Sequence, residues 1–153
     1  MAARKNFKLG DLLLIPLEND LFGVGRILRR YEGVILIEYY KIKPIKSESE
    51  FNFEEAVKEK HFFTNWTYAS SIKDGGWLIF GNKPVPDNYD MPFYWRDDGE
   101  KYYIQKGTDE PFLTGERIVI PREDIHKYSP DGIGNEICNK EGYIYRLKAA
   151  GLL

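Results

Sequence analysis

The sequence is short of the residues that chemistry most often needs. Its 153 residues include one cysteine, two histidines and two methionines. A lone cysteine, Cys138, cannot close an internal disulfide, which points to a reducing compartment. Its neighbours Ile137 and Asn139 supply no base, so it reads as a buried or half-buried thiol, not a nucleophile. A metal site needs three or four convergent ligands, and Glu59-Lys60-His61 is no metallopeptidase motif. His61 and His126 therefore read as structural or surface side chains. Gly23-Val24-Gly25-Arg26 lacks the third glycine of a dinucleotide fingerprint: Arg30 stands there, and the residues after Gly25 are strand-like, not a helix start. Adjacent carboxylates such as Asp97-Asp98 and Glu54-Glu55 do not form the facing pair that acid–base catalysis needs. No catalytic residue, metal or cofactor is expected.

Long apolar runs are lacking too. None approaches the ~20 residues of a membrane span, and residues 1–8 carry charge without the apolar stretch of a signal peptide. The expectation is a cytoplasmic protein with no membrane partner. A charge excess is also missing: 22 basic and 24 acidic residues leave a net charge of −2, which argues against bulk nucleic-acid binding. That balance is uneven along the chain. Residues 1–46 hold nine basic and five acidic residues, and residues 47–153 hold 13 and 19. Asp87, Asp90, Asp97, Asp98 and Glu100 crowd one short segment with only Arg96 among them. The plain reading is a solvated loop, and the alternative is a partner site.

What the chain does have is rings: 11 Tyr, 9 Phe and 3 Trp. They exclude disorder as the main state. A chain of this length buries roughly 68–70% of its extended surface, so residues 1–153 read as a single domain.

Turn residues bracket three apolar runs, Leu12–Ile15, Phe22–Leu28 and Val34–Tyr40. The spacing predicts three consecutive antiparallel strands. Pro16 closes the first run or marks a sheet edge. In the second, Ile27 breaks the period of two, and Gly23 and Gly25 suggest a bulge or a close approach of another backbone. Asn52 with Glu55 three residues on predicts the cap of a helix of two to three turns. Thr67–Ala69 reads as a strand, Asp74-Gly75-Gly76 as a turn, and Trp77–Phe80 as a buried strand. Trp77 belongs to the core and Trp66 roofs the same core. Three prolines in 82–100 predict a long ordered loop. Tyr102–Gln105 and Arg117–Ile120 suggest a hairpin around a turn at Lys106–Asp109. Pro121–Ile125 reads as one helical turn, Ser129–Gly132 as a turn, and Tyr143–Ala150 as a short helix ended by Gly151. The fold class expected is α+β: a strongly coiled antiparallel sheet or partial small barrel with two or three short helices.

Gly10-Asp11, the strand ending Ile15-Pro16-Leu17, then Phe22-Gly23-Val24-Gly25-Arg26, Trp77-Leu78-Ile79-Phe80-Gly81 and Pro84-Val85-Pro86 occur in an order that resembles the immunity protein 26 family. The resemblance covers about residues 8–95 and leaves about 100–153 as a C-terminal extension. It implies an intracellular bacterial protein of a polymorphic toxin system that binds and silences one cognate protein toxin. It carries no toxin-binding residue across. The chain's own residues suggest that surface: Asp87, Tyr89, Asp90, Tyr94, Trp95, Asp97 and Asp98, where prolines stiffen the loop, carboxylates steer a basic partner and rings supply contact area. Trp95 reads equally as an interface residue or as an anchor pinning the loop. Two alternatives stay open. One is a nucleic-acid-binding small barrel, with Arg26, Arg29, Arg30, Lys41, Lys43 and Lys46 along one side and Tyr31, Tyr39 and Tyr40 as stacking surfaces. The other is a small hydrolase or transferase. The oligomeric state is not legible.

Overall fold

The computed structural model describes residues 6–74 and 76–153. Gly75, within the expected Asp74–Gly76 turn, and residues 1–5 of the opening segment lie outside the described residues. The three expected strands form as β1 (Asp11–Pro16), β2 (Phe22–Tyr31) and β3 (Val34–Tyr39), paired antiparallel in succession. Pro16 is the last residue of β1, where its missing N–H closes the strand. After β3 come α1 (Phe53–Ala56), β4 (Phe63–Tyr68), α2 (Ser70–Lys73) and β5 (Leu78–Asn82). The large sheet runs β10-β4-β3-β2-β1-β5, where β10 is Ile133–Gly134. Its two ends are different strands, so the sheet is open and no closed barrel forms.

Both faces of this sheet are covered. Leu13, Ile15, Ile27, Ile35, Ile37 and Tyr39 point to one side, and Leu12, Leu14, Val24, Leu28, Val34 and Leu36 to the other. A strand buried on two faces reads as a continuous apolar run, which explains Leu12–Ile15 and why Ile27 looks out of phase. The bulge lies at Leu28 and not at a glycine: Ile27 pairs with Ile37, and Arg29 pairs with Leu36. The extra residue reverses the alternation, so Arg30 turns to one face and its guanidinium lies over the Phe7 ring.

Several expected elements change form. Asn52 does cap α1, its side chain accepting from the Glu55 N–H at 3.2 Å. The helix then ends after one turn instead of two to three, since Ala56 is its only buried residue. Trp66 is buried in β4 but on the opposite face from Trp77, in a cluster with Leu28, Leu36 and Tyr94. The strand at Trp77 is an edge strand: Trp77 is 1% exposed and precedes β5, whereas Leu78 is 39% exposed. The 82–100 segment is not all loop. It contains β6 (Phe93–Asp97), which forms a hairpin with β7 (Tyr102–Lys106). β8 (Ile118–Ile120) adds to β7 as expected, after a connection longer than the Lys106–Asp109 turn.

The segment 129–134 is not the turn that Ser129–Gly132 suggests. It crosses between the sheets. β9 (Ser129–Pro130) runs parallel to β6, completing a small sheet of order β8-β7-β6-β9, and β10 runs parallel to β4. The final helix, α3 (Glu136–Ala149), starts seven residues before the expected Tyr143, capped by Asn135 on the Cys138 N–H. It ends at Gly151, whose φ of 74° is the left-handed conformation a helix terminus favours. Its inward residues Asn139, Tyr143 and Leu147 follow the four-residue helical spacing. Tyr143 and Leu147 are wholly buried in the same cluster as Leu13, Ile27 and Ile37. Both strand glycines meet a close approach: Gly25 faces the Glu38 backbone carbonyl and the Ile37 side chain, and Gly23 faces the Tyr143 ring.

Candidate functional site

An enclosed polar site lies on the face of the large sheet opposite α3. The bulge at Leu28 sets Arg26 directly across from Glu38. Both are buried, at 5% and 7% exposure. Arg26 Nε donates to Glu38 Oε2 at 2.8 Å, and the Tyr40 hydroxyl donates to the same oxygen at 2.5 Å. The Tyr89 hydroxyl donates to Oε1 at 2.6 Å. Arg26 Nη1 reaches the Lys83 carbonyl at 3.2 Å, and its guanidinium lies over the Phe53 ring. A buried ion pair is retained only when hydrogen bonds satisfy what water has left, and these contacts do so. Burial, followed by the adjacent Glu38 charge, pushes both tyrosine hydroxyls far above their ordinary pKa, so they remain donors at every physiological pH.

This network forms the floor of a pocket of about 300 Å³ whose rim includes Val57, Glu59, His61, Asn88 and Asp90. It also ties a strap, residues 83–91, to the sheet. His61 has a left-handed φ of 58°, and its Nε2 lies 2.8 Å from the Asp90 carbonyl oxygen. Asp90 in turn is bridged to Lys106 at 2.8 Å. That hydrogen bond and charge hold its carboxyl below the usual range.

The residues singled out from the sequence fall into three groups. Tyr89 and Asp90 belong to the strap at the pocket rim, with exposed Asp87 just before them. Tyr94 is 3% exposed and packs with Trp66 and Leu36, so its ring anchors β6 inside. Trp95, Asp97 and Asp98 lie on β6 and its turn, and Trp95 is half-buried with its ring 5.9 Å from Tyr102. Asp97 accepts from the Gly99 N–H, and Asp98 from the N–H groups of Glu100 and Lys101 at 2.9 and 2.8 Å. Those backbone donors hold the Asp98 carboxyl below the usual range. Arg96, the cation inside the patch, is spent on Asp131 at 3.2 Å and on Gln105. Asp87, Asp97 and Glu100 form no ion pair among the described residues, and Asp98 forms none but lies within the field of Arg117.

The basic row of the nucleic-acid alternative is dispersed. Arg26 is buried, Arg29 is paired with Asp109 at 2.7 Å, and Tyr39 and Tyr40 are 1% and 3% exposed, unavailable for stacking. Cys138, expected to be at least half-buried, is exposed, because α3 turns Asn139 inward instead. Among the described residues no group of three or more His, Cys, Asp or Glu is placed to hold a metal, and no helix is long and apolar enough to cross a membrane. Sequence reasoning misses the Arg26–Glu38 pair. Its one sequence signal is a lone acid in the otherwise apolar Val34–Tyr40 run.

No curated protein and no solved structure is significantly similar to the chain. Residues 8–103, from before β1 into β7, match the family described as Immunity protein 26. The match takes in β1–β3, the Arg26–Glu38 floor, the strap and the β6 turn. The chain therefore belongs to the immunity protein 26 family.

Proposed function

We propose that this protein binds one cognate protein toxin and neutralises it by occluding or distorting the toxin's active site, with no catalysis of its own. Family membership carries the reading, and the surface supports it. The strap and the β6 turn together present Asp87, Asp97, Asp98 and Glu100, with Asp90 paired to Lys106 and the half-buried rings of Tyr89 and Trp95 beside them. Unpaired carboxylates steer a basic partner, and aromatic side chains supply contact area. The Glu38 network and the buried Tyr94 hold that surface in place before binding, so little entropy is lost on docking. A standard interface of about 1,600 Å² suffices for tight inhibition. The chain acts as one unit in this reading, since Tyr143 and Leu147 share a cluster with β1–β3. Its place is the bacterial cytoplasm, where Cys138 stays reduced.

The test uses the catalytic domain of the cognate toxin. Asp97→Lys with Asp98→Lys slows association and flattens its salt dependence. Asp98→Asn keeps an acceptor for the turn and so separates charge from geometry. Trp95→Ala speeds dissociation by more than its loss of melting temperature explains. Unchanged rates across these variants remove this face from the interface. His61→Ala, His126→Ala and Cys138→Ala leave neutralisation intact apart from losses of stability, and complete loss in a stably folded single variant would overturn the non-catalytic reading.

A further inference from the structure

The strands at the ends of the two sheets are not equally guarded. β9 and β10 have two residues each, and β8 has three and runs directly into Pro121. Short strands and adjacent prolines are the usual protection against unwanted pairing. β5 has neither: it is five residues long, contains no proline, opens on exposed Leu78, and among the described residues pairs only with β1, a pairing in which Phe80 is one bulged residue between Ile79 and Gly81. Beside it lies a trough of about 600 Å³ between Phe80–Lys83 and the segment 48–54. The half-buried rings of Phe51 and Phe80, edge to face at 5.8 Å, line it.

The trough has a definite charge. Glu48, Glu50 and Glu54 line it against one cation, Lys83, whose ammonium lies over the Phe53 ring. Glu50 is taken up by its own turn, accepting from the N–H groups of Lys46 and Ser47 at 2.7 and 2.9 Å. Glu48 and Glu54 are exposed and have no cationic partner among the described residues. A sheet edge with no further strand among the described residues, an aromatic floor and two carboxylates without a cationic partner are what strand addition by a basic segment needs.

We infer that the β5 edge and its trough receive an extended, basic segment of the cognate toxin, which joins the large sheet as an added strand. This rests on the toxin-binding reading. Backbone groups of 78–82 pair with the incoming strand. The stems of alternate lysine or arginine side chains cover Phe51 and Phe80, and their charged ends meet Glu48 and Glu54. The five residues of β5 match an extended segment of about 16 Å.

The test pairs amide hydrogen exchange with charge reversal, both on the full chain. With toxin bound, amides in 78–82 gain protection, and Glu48→Lys with Glu54→Lys weakens binding by about tenfold at low salt. Binding with no added protection at 78–82 and no effect of the double variant overturns the inference and leaves neutralisation standing. Protection of 78–82 without toxin, together with a concentration-dependent dimer in sedimentation, assigns the edge to a second copy and also overturns it. If the toxin does not bind at all, the neutralisation reading fails, and a synthetic hexapeptide of alternating lysine and valine decides the trough. Saturable NMR shifts confined to 48–54 and 78–83, absent in the double variant, uphold the inference. The absence of such shifts at millimolar peptide overturns it.

Discussion

Replacing Gly23 with alanine tests how α3 is joined to the sheet. A Cβ at Gly23 would stand 2.8 Å from Tyr143 Cζ and 2.9 Å from its hydroxyl oxygen, well inside contact distance. The ring has no free direction. It is wholly buried, it packs against Tyr39 at 5.1 Å between centroids, and its hydroxyl donates to the Tyr40 carbonyl at 2.6 Å. Gly23 lies in a central strand and is equally fixed. Overpacking of this kind costs about 1–3 kcal/mol, and losing the hydroxyl's hydrogen bond adds about 1 kcal/mol. With a urea slope of about 2 kcal/mol/M, the midpoint falls by about 1–2 M. The assay is urea unfolding followed by tryptophan fluorescence. Tyr143→Leu alone is also destabilising, by about 2–4 kcal/mol, through the cavity it leaves. In the double variant the alanine occupies space the ring has vacated, so the two losses do not add. The coupling exceeds about 1 kcal/mol in the favourable direction. A midpoint shift below about 0.3 M for Gly23→Ala, or strict additivity in the pair, would refute the close-approach argument.

Glu38→Ala strands Arg26 in a buried site and costs about 3–5 kcal/mol, whereas Arg26→Met with Glu38→Leu costs much less; a thermodynamic cycle on unfolding free energies checks both. Asp98 has a lowered folded pKa, so its stabilisation of the β6–β7 turn is present above the unfolded carboxylate pKa and is lost as pH falls through the folded value. Carboxyl NMR titration should find Asp98 still ionised where exposed carboxylates protonate, with amide exchange at Glu100 and Lys101 rising only below that point. A chain ending at Tyr103 lacks Tyr143 and Leu147 and should lose cooperative thermal unfolding, which calorimetry reads directly.

The strands β1–β3 are legible because turn residues bracket β-branched runs whose two faces are both covered. β6 is hidden by proline density. Pro92 in fact lies one residue before the strand, where its carbonyl accepts from the Gly107 N–H and its missing donor costs nothing. Asp98-Gly99, with Gly99 at φ 89°, is the hairpin signal available between two aromatic runs. The Arg26–Glu38 pair is out of reach for a sharper reason. Continuing the Tyr31–Val34 register without interruption would set Arg26 against Tyr39 and Glu38 against Ile27. One bulged residue, marked by no glycine, brings the two charges opposite each other. The acidic surface shows in composition, but which of its residues face outward depends on β6: alternation places Trp95 on the opposite side from Tyr94, which is buried.

The tyrosine that fills the space over Gly23 also fixes the order of events during synthesis. Tyr143 and its acceptor Tyr40 are 103 residues apart. At about 5–20 residues per second, a ribosome takes roughly 5–20 s to travel between them. Over that interval the apolar face later covered by α3, with Leu13, Ile27 and Ile37, has no lid. A half-made chain thus displays a sticky, β-rich surface, and the cell's chaperones rather than its own helix must shield it until Tyr143 emerges.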